Sequence, residues 1–278
     1  MARDYGQEDH KLISLRARVM SRFLALLYGI ACYLVFLITF LYAIAFVAGF
    51  GPKHIDSGAV TPIPAALAID LVLLGLFAVQ HSGMARPAFK RWWTQFVPLP
   101  IERSTFVLVS SLVLVLLFWQ WRPLTMPLWN VESYLVRAGL YSLSALGWLL
   151  VLTGTFMINH FDLFGLNQVW LFANRRTAPN TPFVTRAFYR IVRHPLMLGF
   201  LIAFWATPTM SLGHLLFALM TTGYILIAVK YLEERDLVAH YGETYRDYQR
   251  RVPMLLPWPR PRAEAGYAMP PESSRLPR

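Results

Sequence analysis

The fold is decided by one stretch of chain: RIVRHPLMLGF at Arg190–Phe200, and KYLEERDLVAHYGETYRDYQRRVPMLLPW at Lys230–Trp258. Between them, the 35 residues Pro195–Val229 carry no Asp, Glu, Lys or Arg. Pro208 and Gly213 fall near the middle of that run and read as a tight turn between two apolar legs. Antiparallel legs bring Arg193 and His194, at the start of the hairpin, to the same face as Glu233 and Glu234 at its end. The rest of the chain reads as a bundle that supports and closes this site.

Working outward, composition sets the solvent. Of 278 residues, 56% are hydrophobic and only 15% charged, too apolar a balance for an ordinary soluble domain. Phe23–Phe50 is a charge-free run of 28 residues, long enough to cross a hydrocarbon core with tilt. Further spans are expected at 65–84, 104–121 and 138–158, and the hairpin supplies two more. The expected fold is therefore all-α, a polytopic membrane helix bundle of about six transmembrane helices. It divides into a basic N-terminus (1–22), a four-span bundle (23–158), the hairpin with its helical C-terminal region (159–259) and a Pro/Arg-rich tail (260–278) expected to be disordered. The first apolar run is too long for a cleavable signal peptide. Cys32 is the single cysteine, so neither a disulfide framework nor a thiolate metal site is expected.

The net charge of +11 does not point to nucleic acid, because the cations flank the apolar runs. With six spans, 23 of the 26 Lys and Arg residues fall on one side, leaving Lys53, Arg122 and Arg137 on the other. That asymmetry predicts both termini in the cytoplasm. No internal repeat is visible, which argues against an inverted-repeat transporter.

Polar groups at the span ends then converge on the basic face: Gln80 and His81, Asn159, His160 and Asp162, Arg193 and His194, Glu233 and Glu234. Ionisable groups at membrane depth are costly and mark function. Asp70 stands apart, near the opposite face, as an interfacial carboxylate. His194-Pro195 has two readings: a functional His, or a helix start in which Pro lacks an N–H that would be unpaired anyway. Successive helical residues point about 100° apart, so one of Glu233 and Glu234 faces a ligand while the other holds an Arg such as Arg246 or Arg250. His160 with Asp162 reads either as an imidazole oriented by a carboxylate or as a helix-end His followed by an Asp tied into loop hydrogen bonds. No cluster has zinc-site spacing, and no metal is expected.

Arg193-His194-Pro195-x-Met197-x-Gly199, a hairpin, Glu233-Glu234-x-x-Leu237, Gly242-x-x-Tyr245-x-x-Tyr248 and Val252-Pro253 together resemble the signature of the isoprenylcysteine carboxyl methyltransferase superfamily. That resemblance covers about the last 70 residues. LGLFAVQHSGMARPAFKRWW, IERSTFVL, LLFWQWRP and INHFDLFGLNQVWL are similar to its bacterial methanethiol S-methyltransferase branch, and extend the resemblance over nearly the whole chain. Met197 departs from the superfamily pattern, which has Tyr there, and removes whatever hydrogen bond that phenol would make. The resemblance implies an inner-membrane enzyme that methylates a small volatile thiol, methanethiol, to dimethyl sulfide. It also implies S-adenosylmethionine bound by Arg193, His194, Pro195, Met197, Gly199, Glu233, Glu234 and Tyr245. For Tyr245, interfacial anchoring is an equal reading.

The side-chain chemistry is compatible. The cofactor's sulfonium and ammonium suit the glutamates, and its carboxylate suits Arg193 or His194. Methyl transfer to sulfur needs alignment, a dry pocket and a thiolate. His160 with Asp162, or His81, are the candidate bases. Competing readings are methylation of another lipophilic thiol, amine or carboxylate, an NADPH-dependent sterol-reductase-like enzyme, and a non-catalytic membrane scaffold.

Overall fold

In the computed structural model, residues 5–177, 185 and 187–258 are described, with side chains from residue 19 onward. The expected disordered tail, 260–278, lies outside the described residues. The chain is helical almost throughout. Its long helices are α1 (Tyr5–Ala48), α2 (Ile63–Ala85), α4 (Leu99–Gln120) and α5 (Tyr134–Ile158), with a short α3 (Pro87–Trp93) on the basic face. α6 (His160–Leu163) and α7 (Leu166–Ala173) follow, then α8 (Pro195–Trp205) and α9 (Leu212–Ile227). A π-helical turn, Ala228–Glu233, leads into α10 (Glu234–Tyr241) and α11 (Glu243–Arg251). α2, α3, α4 and α8 each carry a Pro in the first turn, where its fixed φ is helical and no hydrogen bond is lost.

Among the described residues, five helical segments are long and apolar enough to cross a membrane: 19–48, α2, α4, α5 and the continuous 212–241. Apolar side chains such as Leu34, Ile38, Val72, Val79 and Leu146 point outward. In α5 only 17% of the span is buried inside the molecule, so these helices need lipid around them. The chain is an integral membrane helix bundle.

The sixth expected span takes a different form. α8 has 11 residues, about 16 Å of helix against a hydrocarbon core of about 30 Å. Pro208 disfavours helix in the residue before it, so α8 stops at Trp205. Beyond α8 the chain continues in extended form, and β2 (Thr209–Ser211) pairs antiparallel with β1 (Pro127–Asn130) in the loop between α4 and α5. Leu212 N–H and Gly213 N–H donate to the carbonyls of Met126 and Leu124. The unsatisfied backbone of this non-helical piece is thereby paired within protein, as hydrocarbon requires.

α8 is held mainly by α5, backbone against backbone. A Cβ added at Gly147 would lie 2.7 Å from the Gly199 carbonyl oxygen, and one at Gly199 would lie 2.7 Å from that of Gly147. An aromatic core with Phe46, Phe118, Trp121, Trp148, Phe204 and Phe217 fills the bundle. The expected basic N-terminal segment is not separate in backbone terms: α1 begins at Tyr5 and runs into the first span without a break.

Candidate functional site

The sequence places Arg193 and His194 just before α8, and the tertiary fold gives them a second backbone to pair with. Arg193 N–H donates to Pro253 O (2.9 Å) and His194 N–H to Met254 O (3.1 Å). The chain leaving α11 therefore lies along the start of α8. Arg193, 7% exposed, grips Glu234 bidentately, Nε to Oε1 at 2.6 Å and Nη2 to Oε2 at 2.9 Å. Its Nη1 donates to the carbonyls of Gln249 (3.0 Å) and Val252 (2.6 Å). Glu234 also accepts from His194 Nε2 (3.0 Å), Gln249 Nε2 (2.8 Å) and the Tyr245 hydroxyl (3.4 Å). Planar guanidinium and carboxylate match in this way only when both are held still.

One of the two glutamates holds an arginine, though not Arg246 or Arg250. Glu234 holds Arg193. Arg246 and Arg250 pair instead with Glu243 and Asp247, three residues away on α11. Glu233 is left half exposed, its Oε2 3.6 Å from His194 Nδ1. Burial disfavours charge on His194, but hydrogen bonds to Glu233 and Glu234 and their negative charge outweigh it, and its pKa stands above the ordinary value. The π-helical turn sets these directions: one extra residue in the turn rotates everything after it relative to α9. Gly242 (φ 57°) then separates α10 from α11, folding Tyr245 and Gln249 back beneath Glu234. Burial and Glu234 raise the Tyr245 pKa. The phenol is an internal hydrogen-bond donor rather than an interfacial anchor.

Three residues of the resemblance-derived cofactor set have other neighbours. Met197 packs against the cluster of Ile225, Val229 and Leu255. Gly199 faces Gly147 and Val151 of α5, a helix-packing position too tight for any ligand. Pro195 is buried in the first turn of α8. Four of the five Arg193 N–H groups are committed to Glu234 and two carbonyls, so its main part is to order the site from behind.

His160 and Asp162 are not brought together. The Thr155 hydroxyl donates to Leu152 O (2.6 Å), so it accepts from His160 Nδ1 (2.8 Å). Nε2 then accepts from the Tyr33 hydroxyl (2.8 Å), and the ring stacks on Phe156 at 4.2 Å. Burial keeps this imidazole's pKa below its ordinary value. Both nitrogens are satisfied, and no orienting carboxylate is in contact. Asp162 bonds Asn159, just after α5, and Asn167 in the first turn of α7, whereas the partners of His160 lie on α5 and α1. His81 differs. Its Nδ1 lies 3.3 Å from Ser110 Oγ, its ring lies between Phe77 (5.2 Å) and Phe106 (5.1 Å), and among the described residues no hydrogen bond reaches Nε2. The end of α2 is tied to the C-terminal region by Ser82 and Tyr224 (3.1 Å) and by the ion pair Arg86–Asp236 (2.9 Å). His81, His194 and Glu233 thus belong to one face of one bundle. Among the described residues no His, Cys, Asp and Glu cluster suits a metal ion.

A protein of Mycobacterium tuberculosis called methanethiol S-methyltransferase is 56% identical over 86% of this chain and 98% of its own length. Methanethiol S-methyltransferase 1 of Bradyrhizobium diazoefficiens is 53% identical over 92% of this chain and 91% of its own. The chain belongs to the methanethiol S-methyltransferase family. Nurim of the mouse is similar more distantly, 33% identical over 63% of this chain and 69% of its own. No family model matches the chain, and no solved structure matches it.

A methanethiol S-methyltransferase needs a methyl donor, and a positively charged donor group fits the half-exposed Glu233 carboxylate. A recess of about 310 Å³ opens against Glu234, lined also by Lys230, Arg235 and Gln249; Glu233 is not part of its lining. Sequence reasoning missed Gln249, the Val252–Met254 carbonyls and the Arg86–Asp236 pair. Val252-Pro253 in the motif was the available signal, but nothing in it told which backbone it would meet.

Proposed function

We propose that this enzyme transfers a methyl group from S-adenosylmethionine to the sulfur of methanethiol, releasing dimethyl sulfide, at the basic face of the membrane. That face is the cytoplasmic side of a bacterial inner membrane in this reading, by the distribution of Lys and Arg. The observation that carries it is the convergence of His194, Glu233, Glu234 and Tyr245 on one charged knot at the hairpin's base, within a chain so similar to named methanethiol S-methyltransferases. When bound, S-adenosylmethionine supplies an electrophilic methyl on a sulfonium. Glu233 would face the positive charge of that donor, and His194, held between two carboxylates, fixes where Glu233 points. Arg193, Glu234, Tyr245 and Gln249 hold the frame. In the tautomer that donates Nδ1–H to Ser110, His81 keeps the Nε2 lone pair for the thiol proton, between aromatic rings that exclude water.

The test is headspace gas chromatography on purified protein given methyl-labelled S-adenosylmethionine and methanethiol. Labelled dimethyl sulfide is expected, with strong loss in Glu233→Gln and His81→Ala. Cofactor binding without product would retain the donor site and reject the thiol. Absence of both, or consumption of NADPH, would overturn the reading.

A further inference from the structure

A second recess, of about 330 Å³, lies on the basic face away from the knot, among the starts of α3 and α4 and the α5–α7 turns. Its polar lining holds two cations, Lys90 and Arg103, two carboxylates, Glu102 and Asp162, and Gln168. Its rim carries Leu99 and Ile158, 74% and 55% exposed, at the ends of membrane-crossing helices. Trp92 and Phe96 stand exposed beside it on α3 and the following turn. Apolar chains thus have a way in at the rim, while the floor is charged.

The floor's charges are poorly matched to each other. Glu102 has its side chain only 14% exposed, its charged neighbour Lys90 is 4.0 Å away, and no hydrogen bond among the described residues reaches its carboxylate. Arg103 uses Nε on Leu163 O (2.9 Å) and sits between the charges of Glu102 and Asp162. Gln168 donates to Asp162 O (3.0 Å), while its Oε1 is buried without a partner. Burial lowers the Lys90 pKa, against the pull of Glu102. Half-buried charges and an orphan acceptor are costly unless something completes them.

We propose that this recess binds the headgroup of a phospholipid bearing a primary ammonium and a phosphate, of the phosphatidylethanolamine type. Lys90 and Arg103 face the phosphate. Glu102 and the Gln168 Oε1 accept from the ammonium, and Leu99 and Ile158 receive the start of the acyl chains. The two positive and two negative side chains sum to zero, which favours a zwitterion over an anionic headgroup. The hydrogen-bond acceptors favour a primary ammonium over a trimethylated one, which has no N–H to give. Asp162, which has no partner in His160, has a place here.

The experiment is native mass spectrometry of the full-length protein in detergent with equimolar phosphatidylethanolamine, phosphatidylcholine and phosphatidylglycerol of identical acyl chains. Phosphatidylethanolamine should be retained over phosphatidylcholine by about tenfold, the worth of one charge-assisted hydrogen bond. Glu102→Gln should abolish that preference, and Lys90→Ala should lower retention of all three, with thermal unfolding unchanged in both. Equal retention of the three lipids, preference for the anionic one, or a preference that survives Glu102→Gln would overturn the proposal. Displacement of the lipid by millimolar soluble phosphoethanolamine would also overturn it, in favour of a soluble zwitterion.

Discussion

The two ends of the α8–α9 hairpin both bury charge, and they do so differently. At the basic face, Glu234 accepts from Arg193, His194, Tyr245 and Gln249, donors that come from two segments, the start of α8 and α11. At the opposite face, Asp70 is fully buried and accepts the Arg122 N–H at 2.9 Å, while its Oδ2 and the Arg122 Nε find no partner among the described residues. Around Asp70 the loops close through main-chain contacts: Lys53 Nζ to Trp121 O (3.0 Å) and Trp121 Nε1 to Ile55 O (2.9 Å). Asp56 meets Ser211 beside β2. The first arrangement fixes side chains around a half-free carboxylate; the second latches loops. A site that must hold a charged ligand needs the first kind, because directions set by bidentate pairs survive the field of the ligand.

The sharpest way to break this contrast is Arg193→Ala. It strands the Glu234 carboxylate, and removing one member of a buried pair costs about 3–5 kcal/mol. Thermal unfolding in detergent would show it, and a loss below about 1 kcal/mol would make the knot no better than a surface pair. Next comes Glu233→Gln, expected to lower methyl transfer by about 10- to 100-fold, the worth of a charge-assisted contact, with unfolding unchanged. Equal damage to stability would show Glu233 to be structural like its neighbour.

A smaller effect is pH-dependent. The His194 pKa is raised in the folded state, so its contribution to stability is fully present below the ordinary His value of about 6.5. It is lost as pH rises through the raised value. Wild-type melting temperature should fall over that window and His194→Gln should flatten the fall; parallel profiles would mean that the imidazole's charge does not matter. The smallest effect is expected at the other end. Asp70→Asn keeps the acceptor for Arg122 N–H and should change stability by no more than about 1 kcal/mol. A loss comparable to that of Arg193→Ala would erase the difference between the two faces.

Much of this was legible in the sequence. Apolar length determined the four spans up to residue 158, three of them charge-free and the second interrupted only by Asp70, because hydrocarbon tolerates no unpaired backbone and few charges. Pro195 marked the start of α8, and the hairpin brought Arg193 and His194 to Glu233 and Glu234 by simple antiparallel logic. Other features needed coordinates. That α8 would end at Trp205 and finish as a strand depended on β1, some 80 residues earlier, offering its backbone. That Glu234 rather than Glu233 would turn inward depended on a π-helical turn, a register change that propensity does not encode. Gly199 looked like a ligand contact and proved to be a helix contact, since the motif records a requirement for no side chain without saying what approaches. His160 and Asp162, two residues apart, turned to different partners because Thr155, Tyr33 and the loop asparagines outcompeted their mutual contact. Periodicity and charge are local quantities, and so the sequence alone determined which residues reach the basic face. Which of them touch depends on distances between segments far apart in the chain, and only the packed bundle decided those.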